Sequence, residues 1–150
     1  MTGYPARLFD GAATIREIGA GLLDRTLPRE RWTHEAHLAA STWILSERSD
    51  IDAARDVPDI IRRYNEAVGG VNDDHQGYHE TITQIYILAV RAHIGEMGAQ
   101  TGLLQLVNSL LLSPRGQRDF PLRHYTRDLL FSVAARKQFL PPDLLPLHQI

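Results

Sequence analysis

Two short segments carry most of the residues that could do chemistry. Thr33-His34-Glu35-Ala36-His37-Leu38 and Asp74-His75-Gln76-Gly77-Tyr78-His79-Glu80-Thr81-Ile82-Thr83 hold four of the seven histidines in the 150-residue chain. Imidazole titrates near neutrality, so it can serve as an acid, a base, a neutral hydrogen-bonding group or a metal ligand. There is no cysteine. Thiolate metal sites, disulfides and a thiol nucleophile are therefore excluded, and any metal would need imidazole and oxygen ligands. In the metal reading His34, His37 and His79 are the ligands, with His75 as an alternative. The ion would be divalent zinc, iron, nickel or manganese, and its bound water would attack in a hydrolase or transferase. The spacing is His-Glu-x-His, which lacks the geometry of the familiar His-Glu-x-x-His zinc motif.

Two other readings compete with the metal. In one, the pocket is metal-free and a small polar molecule binds there. Histidine then acts as general acid or base, and Tyr64, Asn65, His75, Tyr78 and Thr83 orient the ligand. Among Arg123, His124, Arg127 and Arg136 of the C-terminal segment, Arg136 is the residue expected to close over the ligand and clamp a carboxylate or phosphate. In the other reading the histidines are buried structural groups of a non-enzymatic structural or interaction protein. A dimerising regulator would need an exposed apolar patch. Leu103–Leu112 is the candidate, although burial within a helical bundle also explains it. His93 and His148 have no partner pattern.

Positioning these residues requires helices. At about 100° per residue His34, His37 and Ser41 form one stripe, and His79, Thr83, Tyr86, Val90 and His93 another, both set among apolar residues. Glu35 and Glu80 fall off these stripes. The first helix is expected to start at a capping box, Thr14 to Glu17, and to bury Ile15, Ile18, Leu22 and Leu23. The second runs from Thr33 to about Ser46. The third has Pro58 in its first turn and stops at Gly69-Gly70. Asn72, Asp73 and Asp74 are cap candidates for the fourth, roughly Tyr78–Met97, and Thr101 caps a fifth ending at Leu112. Thr126 and Ser132 cap two short helices. Pro141, Pro142 and Pro146, interleaved with Leu144, Leu145 and Leu147, read as an apolar strap packed on the body.

The expected architecture is all-α: one domain over residues 1–150, a bundle of about five main helices with an irregular, Pro-rich C-terminal third. Up, down and up courses for helices two to four would bring the histidine segments to one pole. Two helix N-termini there would favour an anion or carboxylate.

Four blocks in this order, Thr33–Leu38, Tyr64-Asn65-Glu66-Ala67-Val68-Gly69, Tyr78–Thr83 and Leu130-Phe131-Ser132-x-x-Ala135-Arg136, resemble a family of small, uncharacterised bacterial helical proteins. The resemblance spans most of the chain. It implies that the blocks form one unit and carries no activity. A looser architectural similarity is to DinB-like bundles, which hold a metal through three histidines from two helices. The spacing here does not match theirs.

The charge balance of 16 basic and 18 acidic residues lacks the basic excess of a nucleic-acid binder. Met1–Ala13 has no basic stretch leading into an apolar run, so no secretory signal is expected. No apolar stretch is long enough for a bilayer. The expected setting is cytoplasmic, and the expected partner is a small molecule or metal.

Overall fold

A computed structural model describes residues 7–150. Residues 1–6, part of the segment read for a leader, lie outside the described residues. Seven α-helices and no strands occur among the described residues. They are α1 (Ala12–Asp24), α2 (His34–Glu47), α3 (Ala53–Ala67), α4 (Glu80–Met97), α5 (Leu103–Leu112), α6 (Arg127–Leu130) and α7 (Val133–Lys137). Among these residues no helix is long and apolar enough to cross a membrane.

The second helix is the axis of the bundle. It touches α1, α3, α4 and α5. Ala36, Leu38, Ala39, Ala40, Thr42, Trp43 and Ile44 are all buried, as expected of a helix enclosed on most of its circumference. Glu35, off the histidine stripe, is buried as well. Close approach of α1 is permitted by Gly19, where a Cβ would lie 2.2 Å from the Trp43 ring. Leu103–Leu112 packs inward through Leu103, Leu106, Val107, Leu110 and Leu111, leaving Leu112 exposed.

Several helix starts differ from expectation, each for a local reason. Gly11, not Thr14, is the N-cap of α1, and Glu17 pairs instead with Arg31 at 2.7 Å. Asp52 caps α3 one turn earlier than expected, which places Pro58 inside the helix. Proline has no N–H for the Ala54 carbonyl. The Gln84 amide of α4 donates to that carbonyl at 2.9 Å, so the break becomes an interhelical contact. Gly102 stands at the N-cap of α5, while the Thr101 hydroxyl bonds back to the Met97 carbonyl. Thr126 and Ser132 cap as expected, and Thr33, where the second helix is expected to begin, is its N-cap.

The loop before α4 is braced by Asn72 rather than capped by it. Its Oδ1 accepts from Tyr78 N–H and from Asn65, and its amide donates to the Arg62 carbonyl. Asp73 turns the chain by accepting from His75 and Gln76 N–H.

The C-terminal third is tied to the first turn of α4. The Thr81 hydroxyl lies 2.7 Å from the Ala135 carbonyl and 2.9 Å from the Gln138 carbonyl, and accepts from Leu140 N–H. Tyr125, fully buried, donates to the Leu140 carbonyl. Only part of the expected strap packs inward. Of its leucines Leu147, with Phe139 and Ile150 on either side of the strap, covers the cluster around Ile85 and Phe120, while Leu144 and Leu145 are exposed. Their backbone explains the placement: Leu144 N–H donates to the His124 carbonyl, and the Leu145 carbonyl accepts from His124.

Because the α1–α2 contact has no room at Gly19, Gly19→Ala is expected to destabilise the chain by about 1–3 kcal/mol through overpacking. Urea unfolding monitored by circular dichroism checks this.

Candidate functional site

The expected polar pole is divided among three places. His34, His37 and Thr83 line a cleft of about 350 Å3 between α2, α3 and α4, together with Leu38, Ser41, Ile61, Ile82, Tyr86 and Arg118. Tyr64 and Asn65 line a second cleft of about 340 Å3 with Arg29, Trp32 and Gln76. Tyr78 and Arg136 line a shallow surface depression with Arg62 and Lys137. His75 is exposed in the loop and lines none of the three.

His79 does not join His34 and His37. It is the N-cap of α4, a role expected of Asn72, Asp73 or Asp74. Its Nδ1 accepts from Ile82 N–H at 3.1 Å, so Nε2 carries the proton and donates to the Leu130 carbonyl at 2.8 Å. Both nitrogens are engaged, leaving no lone pair for a metal. Burial pushes its pKa down, opposed by the Leu130 carbonyl bond. No group of three or more His, Asp or Glu side chains able to hold a metal occurs among the described residues.

Other expected ligand-binding residues also have structural partners. Tyr64 is fully buried and donates to the Leu27 carbonyl at 2.7 Å. The Arg62 guanidinium sits 4.4 Å above the Tyr78 ring, and the Tyr78 phenol donates to Glu80. Arg136 donates to the Gly77 carbonyl at 2.9 Å and so braces the loop before α4. His93 pairs with Ser109 at 2.8 Å, and His124 with the Leu145 carbonyl at 2.9 Å.

The 350 Å3 cleft is different. His34, the first residue of α2, lies with Nε2 2.8 Å from the Gly116 carbonyl. The carbonyl can only accept, so Nε2 bears the hydrogen and Nδ1 keeps the lone pair when the ring is neutral. Burial lowers the His34 pKa; the Gly116 carbonyl raises it and the Arg118 charge lowers it further. One turn on, His37 stacks on Trp32 with ring centroids 3.8 Å apart. No described residue hydrogen-bonds to its ring. Burial, reinforced by His34, pushes its pKa down to about 3. The ring is therefore neutral at physiological pH.

The far wall is built by long-range contacts. Tyr86 of α4 donates to the Gln117 carbonyl at 2.6 Å, and burial pushes its phenol up. Its hydroxyl also lies 3.3 Å from the Arg118 carbonyl. His34 and Tyr86 thus fasten the Gly116–Arg118 segment across the cleft. Gly116 is required there, because a Cβ would lie 2.1 Å from the Leu110 carbonyl. The Arg118 guanidinium stands 3.7 Å from the buried Glu35 carboxylate, an ion-pair rather than a hydrogen-bond distance. Ser41 and Tyr86 lie on the two helical stripes, so their places were available from periodicity. Arg118 comes from an irregular loop, 84 positions after His34, and no local pattern points to it.

Comparison of the chain with protein-family models, curated protein sequences and solved structures gave no significant match.

A histidine held neutral in the folded chain couples stability to pH. The His37 pKa is near 3 when folded, against about 6.5 when exposed. The unfolded state then binds more protons between these values, so stability falls as pH drops from about 6.5 toward 3. His37→Phe preserves the stack on Trp32 and should flatten part of this fall. Urea unfolding of both proteins at a series of pH values measures it.

Proposed function

We propose that the protein binds a small organic molecule, with an apolar body and a polar end, in the cleft between α2 and α4. The observation that carries this reading is the His37 imidazole. It lines a 350 Å3 cleft and stacks on Trp32 without a hydrogen-bond partner among the described residues. The volume is near the lower end of the usual range for small-molecule sites, about 300–1,000 Å3. Leu38, Ile61 and Ile82 offer an apolar surface, while Ser41, Thr83, His34 and Arg118 offer polar groups. This mixture fixes the orientation of a small ligand.

The donor set favours an organic ligand over a metal ion. Of the three expected metal ligands, only His34 and His37 line the cleft, and His79 is committed to Ile82 and Leu130. Proton transfer by His34, whose neutral ring keeps a lone pair on Nδ1, is the natural extension toward hydrolase or transferase chemistry, whereas His37, with its pKa near 3, is too weak a base and serves as a hydrogen-bonding group.

Thermal unfolding of the full chain in the presence of small organic acids, amides and alcohols tests binding. At least one compound should raise the melting temperature, and His37→Phe should fold yet lose that response. Stabilisation by zinc or nickel chloride alone, with no response to the organic panel, would overturn the proposal.

A further inference from the structure

We infer that the second cleft, between the loop leading into α2 and the C-terminal end of α3, binds a free α-amino acid. Arg29 receives its carboxylate, and the side-chain amide oxygens of Asn65 and Gln76 receive its ammonium. This cleft shares no lining residue with the one that His37 lines, so its ligand is independent of that reading. Its volume of about 340 Å3 suits a small molecule.

Hydrogen bonds within the fold decide which end of each amide is spent. The Asn72 amide donates to the Arg62 carbonyl at 3.0 Å, and its Oδ1 accepts from Tyr78 N–H at 2.9 Å. That oxygen can only accept, so Asn65 must donate to it, at 3.1 Å, through Nδ2. Asn65 Oδ1 is left without a partner among the described residues. Gln76 is set in the same way. A carboxylate only accepts, so the 3.1 Å bond to Asp73 uses Gln76 Nε2 and leaves Oε1 unpartnered. The backbone of Gln76 is held as well: its N–H donates to the Asp73 carboxylate, and its carbonyl accepts from Asp73 N–H. Two acceptors of fixed sense therefore belong to residues of one cleft.

Arg29 is the charged residue of the lining. It is exposed and makes no hydrogen bond or ion pair with a described residue, Glu30 beside it included. A cation without a partner and two acceptors without donors match a ligand with the reverse set, an anion and an N–H donor close together. A free amino acid carries both on one carbon. A simple acid engages only the guanidinium, and a simple amine only the amide oxygens. The guanidinium fork suits a carboxylate in particular. Trp32 and Tyr64, edge to face with centroids 5.4 Å apart, and Val68 give the side chain of the ligand a surface to cover.

Thermal unfolding of the full chain with each of the L-amino acids in turn, then isothermal titration of the best binder, tests this assignment. The matching acid without the amine and the matching α-amide are titrated alongside. The amino acid should bind at least about tenfold more tightly than either analogue. Arg29→Gln, at an exposed position with no other partner, should fold as the parent does and bring the amino acid down to the level of its amide. Gln76→Leu should bring it toward the level of the acid without the amine. His37→Phe should leave the titration unchanged. Equal binding of the amino acid and both analogues would overturn the zwitterion. Binding lost in His37→Phe and kept in Arg29→Gln would overturn the site, placing the ligand in the cleft between α2 and α4. No rise in melting temperature and no heat with any amino acid would overturn the inference, whatever the organic panel does in the other cleft.

Discussion

Burial of α2 on most of its circumference is the constraint on which the rest of the structure depends. A helix enclosed by α1, α3, α4 and α5 has no broad solvent face on which to place polar side chains. Every polar group along it must find a partner or line an internal cleft. Thr42 bonds back to the Leu38 carbonyl, and Thr33 caps the first turn. Glu35 finds the Arg118 charge. His34 reaches the Gly116 carbonyl, fastening a loop 82 residues away in sequence. His37 is left facing a cleft, which is why the centre of the bundle and its candidate site coincide.

The histidines illustrate how the same side chain serves two ends. His79, His93 and His124 are buried, and each makes a hydrogen bond that holds elements together. His79 does most: one nitrogen caps α4 and the other donates to the last carbonyl of α6, which adds to the Thr81 and Arg136 bonds that close the C-terminal third onto the body. His34 and His37 occupy the cleft instead. A cluster that looks like one constellation in sequence is therefore divided by hydrogen bonding into a structural part and a part available to a ligand. The carbonyl partners fix the tautomer of His34 and His79, while burial, against the pull of those carbonyls, lowers both pKa values.

Much of the fold was legible because it follows from local rules. The all-α class, the extent of α2 and the caps at Thr126 and Ser132 came from periodicity and side-chain capping, which neighbouring residues determine. Where local rules failed, a distant group had intervened. Pro58 is tolerated inside α3 beside a carbonyl that Gln84 satisfies, and histidine can cap α4 beside a carbonyl that Leu130 supplies. The site follows the same division. Helical phase set His34 and His37 on one stripe and Thr83 on another, the up–down–up course brought the stripes together, and all three residues line one cleft. Tyr64, Asn65, Tyr78 and Arg136 share the region but face other depressions, since their orientations depend on Leu27, Asn72, Arg62 and Gly77. Arg118 was invisible because only the folded chain carries its loop to α2.

The central claim is that His37 is a neutral, ligand-facing ring, whereas His79 is a locked structural one. Long-range proton–nitrogen NMR of the imidazole rings separates them directly. The account predicts that His37 stays neutral from about pH 8 down to about pH 5, and that its ring signals move on addition of an organic ligand while those of His79 stay fixed. A His37 ring that titrates near its ordinary value, or a ligand that moves His79 and leaves His37 unchanged, would contradict the account.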